Sequence, residues 1–572
     1  NLGTVELTVA LHRAFTTPHD AIVWDVGHQC YAHKLLTDRY NAFDTLRQKD
    51  GVSGFPKPSE SRHDAFVTGH SSTAISAANG IAKAKELSGD DGYTVAVIGD
   101  GALTGGLAYE GLCNAGRGNN RLIVILNDNK MSISRNVGFV ARYLAHLRVK
   151  VRYLHWKQSL SNILSHIPLV GRPTNTFLKD CKKRMKRSLF ANTSFFENMG
   201  FHYMGPVDGH NLDDLIQALE AAKSIDQPVV LHIATVKGKG YPYAEKAPDV
   251  YHGISGFDAA TGQVGAAKES FSSVFGETLC NLAEQDGRIV AVTAAMVHGT
   301  CLDAFAGRYP DRFFDTGITE EHAVTFSSGM ACGGLLPVFA VYSTFLQRSL
   351  DQLINDTSIM NNHIVLAIDR AGIVPNDGET HQGLYDIAML RAVPHTTVYA
   401  PSNYAEMRLH LSQALYDVDG IAAVRYPKGA EAAIVADYPA SYQPFDYIDH
   451  HIRDTVIITY GRTFAGVMEA TEKGKTASII KLNRIIPIAP DVLPILLSYK
   501  RVLVYEETFV NNGIGEWIGE MLMERRYGGS FRIFGLTDTP GACTTDQGLA
   551  DAGLDARGIR DYIRSMTEEN DG

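Results

Sequence analysis

The sequence predicts an α/β protein of three successive domains, each a mostly parallel sheet covered by helices. Three observations lead to that expectation. Short apolar runs ending in polar residues alternate with helical stretches, the rhythm of βαβ units whose strands are buried on both faces. The rhythm restarts twice, giving domains at residues 1–265, 266–435 and 436–572. A chain of 572 residues with 45% apolar side chains also supplies more than one hydrophobic core.

In the first domain the helical pattern "TVELTVALHRAF" precedes strand-like runs at "AIVWDVG", Tyr93 to Ile98, Leu122 to Leu126 and "PVVLHIATVKGKGY". The two central runs and the helical stretch between them form one βαβ unit. The carboxyl ends of its strands then lie side by side at the sheet edge where ligands bind. Asp100 follows the first strand in Gly99-Asp100-Gly101, and Asn129 follows the second in Asn127-Asp128-Asn129, so the two side chains are expected to converge. Residues 141–193 interrupt the rhythm with a basic stretch poor in strand signals, expected to be partly mobile. Its cluster from Lys179 to Arg187 reads as a solvated helix face.

The second domain carries the strands "RIVAVTA", "VFAVYS" and "HIVLAIDR", and the third "TVIITYG", "TASIIKL" and "RVLVYEE". A charge-free stretch from Ala323 to Gln347 is broken by Gly333, Gly334 and Pro337. It therefore reads as a buried helix, a turn and a strand rather than a membrane span.

Composition excludes several classes. Lys and Arg number 53 against 63 Asp and Glu, a formal charge of −10, which does not suit nonspecific nucleic-acid binding. Seven cysteines without a C-x-x-C pair offer neither a zinc site nor a disulfide framework, and point to a reducing cytoplasm. The sequence contains no P-loop and no secretory signal. It opens at Asn1 already inside a helical pattern, which leaves room for further sequence upstream.

A carboxylate and a carboxamide oxygen at neighbouring strand ends form a hard, oxygen-only set that suits Mg²⁺ or Ca²⁺. Gly99 and Gly101 let the backbone approach a large anion, so the group is expected to hold a metal-bridged diphosphate. Gly-Asp-Gly alone is equally a strand-turn-helix corner; the second amide-rich strand end favours the metal. Glu320 heads a long apolar helical run, where a carboxylate is either a simple cap or a functional acid. The stretches 342–348, 369–383 and 424–429 place an aromatic, three arginines, a lysine, two aspartates and a histidine at loop positions. Packing gives little reason for so many functional groups there.

In order and spacing, "WDVGHQCY", "TGHSSTAIS", "GDG", "NDNKMSIS", "GPVDGH", "KGKGY", "TEEHAV", "YSTFLQR", "DRAGIV" and "THQG" resemble the thiamine-diphosphate enzymes of the transketolase type along essentially the whole chain. The resemblance is greatest to the branch that decarboxylates pyruvate and joins the two-carbon unit to D-glyceraldehyde 3-phosphate. Its products are a 1-deoxypentulose 5-phosphate and carbon dioxide, at the entrance to isoprenoid, thiamine and pyridoxal biosynthesis. The alternatives are transketolase proper, another carboligase of the same cofactor and, least favoured, a nonenzymatic paralogue.

The resemblance implies a transketolase-like fold, thiamine diphosphate and Mg²⁺ as cofactors, and a homodimer. It makes Asp100, Asn129 and the main-chain carbonyl of Met131 the metal ligands. Gly101 and Ala102 offer backbone to the diphosphate, His28 and the Gly69-His70-Ser71 turn flank it, and Tyr241 contacts the cofactor. Glu320 is the acid that activates the cofactor through its aminopyrimidine, on which Phe345 stacks. Tyr342, Arg348, Arg370 and Lys428 receive the acceptor's phosphate, while Asp377, His381 and His252 line the reacting centre. It also implies a segment ahead of Leu2 bearing a further histidine.

Three positions depart from the family pattern. Glu321 stands where glutamine is common, and a second carboxylate raises the pKa of its neighbour where the two share a site. Lys428 replaces a frequent arginine, turning a bidentate clamp into a point charge. Pro375-Asn376 is unusual in the acceptor loop.

Overall fold

A computed structural model describes residues 2–118, 120–129, 143–144, 195–248, 250–252, 256–265, 268–449 and 454–568. Met131, the Lys179 to Arg187 cluster and all of 141–193 except Tyr143 and Leu144 lie outside the described residues. The chain forms two compact units: residues 1–43 with 55–264, and residues 44–54 with 265–572.

The first unit holds a five-stranded sheet of β1 (Ala21–Trp24), β2 (Thr94–Gly99), β3 (Leu122–Asp128), β4 (His202–Asp208) and β5 (Val229–Ala234). The spatial order is β1-β2-β3-β5-β4 and every pairing is parallel. Successive side chains of a strand face opposite ways, so each strand feeds two cores. Val95 and Val97 pack with Leu7 and Leu11 of helix Val5–Ala14 and with Leu215 and Leu219 of helix Leu212–Lys223. Ala96 and Ile98 pack with Ile75 and Ala78 of helix Ala74–Ser88 and Leu112 of helix Gly106–Ala115. This is the expected βαβ unit, with β2 and β3 paired Thr94 to Leu122 through Gly99 to Asn127.

The second unit holds two sheets. One consists of β6 (Ile289–Thr293), β7 (Phe313–Asp315), β8 (Leu336–Tyr342), β9 (Ile364–Asp369), β10 (Thr396–Tyr399), β11 (Ile421–Arg425) and β15 (Arg484–Ile486), in the order β15-β10-β11-β9-β8-β6-β7. The other consists of β12 (Phe445–Ile448), β13 (Thr455–Thr459), β14 (Ser478–Leu482), β16 (Arg501–Phe509) and β17 (Ser530–Leu536), in the order β12-β14-β13-β16-β17. Among the described strands of these two sheets, β12 pairs with β14 and β15 with β10 antiparallel, and the other pairings are parallel.

β15 begins two positions after β14 ends, so the chain passes directly from one sheet to the edge of the other. Phe339, Leu366 and Ile368 of one sheet and Val456, Ile458 and Val504 of the other fall in a single buried core. Helix Glu320–Cys332, the turn at Gly334 and β8 form the expected helix, turn and strand. Among the described residues no helix is long and apolar enough to cross a membrane. The "VRYPKG" stretch is only partly loop. Arg425 is still in β11, buried, with its Nε 2.8 Å from Asp386 Oδ2.

Candidate active site

In the first unit, residues after the carboxyl ends of β1, β2 and β3 gather at one sheet edge. Asp100 directly follows β2, and its backbone N–H donates to the carbonyl of Asn127 in β3 at 3.1 Å, with Asn129 two positions on. The Asp100 side chain is 3% exposed. The Gly69-His70-Ser71 turn is tied to this corner from two sides. Ser72 Oγ donates to the carbonyl of Ala102 at 2.7 Å. Asp25, just after β1, accepts from the backbone N–H groups of Ser72 at 2.8 Å and Ala74 at 3.1 Å, at the start of helix Ala74–Ser88. Gly101 and Ala102 are buried in the short 3₁₀ turn region that follows Asp100.

Two histidines meet nearby. The rings of His28 and His252 lie edge to face, with centroids 5.5 Å apart. Burial, with the Lys237 charge acting in the same sense, lowers the His252 pKa to about 4, so its imidazole is neutral. Tyr241 packs among Tyr243, Tyr251 and Phe257 and donates its hydroxyl to the carbonyl of Ala259 at 2.9 Å.

The donor set of this edge fits the expected group. A buried carboxylate and a carboxamide on neighbouring strand ends are the oxygen-only chemistry that a hard divalent cation on a diphosphate requires.

In the second unit the functional side chains again follow carboxyl ends: Glu320 after β7, Tyr342 at the end of β8 with Phe345 and Arg348 beyond it, Arg370 after β9, and Lys428 after β11. Glu320 is the first residue of its helix and is 2% exposed. Desolvation raises its pKa, Arg348 opposes the rise, and Glu321 adds to it, in the sense expected of a second carboxylate. Arg348 Nη1 lies 3.3 Å from Glu320 Oε2, so this arginine reaches the acid.

Phe345 stacks on Tyr342, with centroids 5.6 Å apart, and meets His381 edge to face at 5.7 Å. The Arg370 guanidinium covers the Tyr342 ring at 3.7 Å, donates to the carbonyl of Gly299 at 3.1 Å and pairs with buried Asp369 at 3.0 Å. Gly299 is glycine for a visible reason: a Cβ there would stand 1.7 Å from the Tyr342 hydroxyl. Asp377 pairs with Arg47 at 2.9 Å and lies 3.8 Å from Lys428. Burial lowers the His381 pKa to about 4, against the opposing pull of Asp377, and also lowers that of Lys428.

Two residues of this arrangement have no signal in the sequence. Arg47 reaches Asp377 across 330 positions, as part of the 44–54 segment that packs with the second unit. Asp25 looks like an ordinary strand-end aspartate in "WDVG" until its two backbone donors are seen.

Comparison with known proteins gives the family. A family model described as 1-deoxy-D-xylulose-5-phosphate synthase matches residues 1–235. The transketolase pyrimidine binding domain matches 267–432, and the transketolase C-terminal domain matches 447–559. Among curated relatives, the 1-deoxy-D-xylulose-5-phosphate synthase of Treponema pallidum strain Nichols is 48% identical over 541 residues, 92% of this chain and 84% of that protein. That of Symbiobacterium thermophilum is 47% identical over 530 residues, 91% of this chain and 81% of that protein. That of Caldanaerobacter subterraneus is 45% identical over 537 residues, 92% of this chain and 85% of that protein. The chain belongs to the 1-deoxy-D-xylulose-5-phosphate synthase family.

Proposed function

We propose that this protein decarboxylates pyruvate and condenses the remaining two-carbon unit with D-glyceraldehyde 3-phosphate, giving 1-deoxy-D-xylulose 5-phosphate and carbon dioxide. The observation that carries the reading is Glu320: a carboxyl group 2% exposed at the head of a helix, with its acid form favoured by burial. Thiamine diphosphate, when bound, supplies an acidic thiazolium carbon and an electron sink for the lost carboxylate.

The chain's own residues do the rest. Glu320 holds a proton where an aminopyrimidine ring nitrogen can share it, and Arg348 keeps that carboxyl group oriented. Asp100, Asn129 and the Met131 carbonyl hold Mg²⁺. Gly101, Ala102, His28 and the Gly69-His70-Ser71 turn receive the diphosphate, and Tyr241 contacts the same cofactor. Phe345 offers a ring face to the pyrimidine. Tyr342, Arg370 and Lys428 receive the acceptor's phosphate, with Arg348 shared between that role and Glu320. His252 on the first unit, and His381 and Asp377 on the second, serve the reacting centre; burial keeps each imidazole neutral, so either can take up a proton. The domains are residues 1–265, 266–435 and 436–572, and the protein works as a cytoplasmic homodimer.

Purified protein given pyruvate and D-glyceraldehyde 3-phosphate should release carbon dioxide and form the deoxyketose phosphate only when thiamine diphosphate and Mg²⁺ are present. Turnover of a ketose phosphate donor without carbon dioxide release would overturn the reading in favour of transketolase.

A further inference from the structure

The third sheet has an unusual occupant at its ligand edge. From β13 the chain runs through helix Thr463–Ala470 to β14 on one side, and from β16 through helix Ile514–Glu524 to β17 on the other. The carboxyl ends of adjacent β13 and β16 therefore flank a topological switch point, the place where open α/β sheets bind ligands. Arg462, shortly after β13, and Glu507, in β16, meet across it. Arg462 Nε donates to Glu507 Oε2 at 2.9 Å and its Nη2 to Oε1. Glu507 is 4% exposed.

A segment of the same unit sits on this pair. The backbone N–H of Ile373 donates to Glu507 Oε1 at 2.6 Å, and Arg462 Nη2 donates to the Ile373 carbonyl at 3.0 Å. One residue thus presents both a donor and an acceptor to one ion pair, as a bound ligand would. Thr508 Oγ1 adds a bond to the carbonyl of Leu384 at 2.8 Å. Gly372 makes the approach possible: its φ is +86°, and a Cβ would lie 2.5 Å from the Glu507 carboxylate.

The segment held this way is the loop that carries Asp377 and His381. Its base is closed by reciprocal backbone bonds between Gly372 and Gly383, at 2.7 and 2.9 Å. The Gln382 side chain braces its interior, accepting from Val374 N–H at 2.7 Å and donating to the Val374 carbonyl at 3.2 Å. Asn376 N–H reaches the carbonyl of Cys543 at 2.9 Å.

We propose that Arg462 and Glu507 are positioning residues for the acceptor half of the reaction: the third domain's ligand crevice takes the base of the 372–384 loop as its ligand and thereby sets Asp377 and His381. The proposal rests on the functional reading above, which puts Asp377 and His381 at the reacting centre, with Asp377 3.8 Å from Lys428 of the phosphate-receiving group.

The test uses full-length holoenzyme with Glu507→Gln, which keeps shape and an acceptor but loses the charge facing Arg462, and Thr508→Val as a milder variant. Amide hydrogen exchange in the peptide covering 372–384 should quicken roughly tenfold in Glu507→Gln, about the loss of one charge-assisted hydrogen bond, while β8 and β9 stay protected. KM for D-glyceraldehyde 3-phosphate should rise by a similar factor with KM for pyruvate unchanged, and Thr508→Val should shift both readouts in the same direction by less. In an Asp377→Ala background the effect of Glu507→Gln on the acceptor KM should vanish, whereas a purely structural role would leave it intact. Unchanged loop exchange, or an equal rise in both KM values, overturns the proposal. Should the wild type fail to turn over these substrates, the functional reading falls and the exchange measurement still decides whether the pair holds the loop.

Discussion

Glu320 is buried where an ionised carboxyl group is costly, and one arginine at its side partly offsets that cost. This pairing changes what a substitution at Arg348 should do. An arginine that only receives phosphate would raise KM for the aldehyde on removal. One that orients Glu320 would lower kcat instead. Arg348→Gln is expected to lower kcat by roughly tenfold or more with a smaller change in acceptor KM, the size of one charge-assisted contact. Steady-state kinetics with each substrate varied in turn checks it.

His381 makes a second prediction at this scale. Its folded-state pKa, about 4, lies below the ordinary 6.5, so between those values the folded protein binds fewer protons than the unfolded chain. Its contribution to stability is present above that window and is lost as pH falls through it. Urea unfolding at pH 7 and at pH 5 should show a smaller loss of stability in His381→Gln than in the wild type. The identities of Glu320, Phe345, Arg370 and Asp377 were legible because each sits in a family-like motif. Arg47 was not, since nothing local marks which of many surface-type arginines will fold against a carboxylate hundreds of residues away.

At the scale of elements, the helix Ala74–Ser88 depends on a side chain outside itself. Its own Thr73 makes no side-chain cap, and Asp25 serves the free N–H groups from the end of β1. Asp25→Ala should cost about 1–3 kcal/mol of stability, as for a buried donor left unpaired. It should also weaken retention of thiamine diphosphate, because the Gly69-His70-Ser71 turn loses its anchor; calorimetric titration and denaturant unfolding read the two effects separately. Strands such as β2, β3, β9 and β13 were legible because both faces are covered and the runs are almost wholly apolar. β4 was not, since "HYMGPVD" is only partly buried and contains Pro206, and neither was three-residue β7. β15 has no local signature either; its place comes from β10, the partner it finds in another section of the chain.

For the whole molecule, the proposed function assigns different tasks to two carboxyl-edge clusters on separate sheets: oxygen ligands and backbone turns on the first unit, a buried acid with aromatic and cationic neighbours on the second. The direct test of this account asks whether Glu320 is the activating acid or only a helix cap. With thiamine diphosphate and Mg²⁺ supplied, hydrogen exchange at the thiazolium carbon is followed in deuterated water for the wild type, Glu320→Gln and Glu321→Gln. The account predicts normal folding and cofactor retention in Glu320→Gln, exchange slowed by at least ~10²-fold, the lower end for a lost proton-transfer group, and a nearly unchanged rate in Glu321→Gln. Wild-type exchange in Glu320→Gln, or a collapse confined to Glu321→Gln, would contradict it.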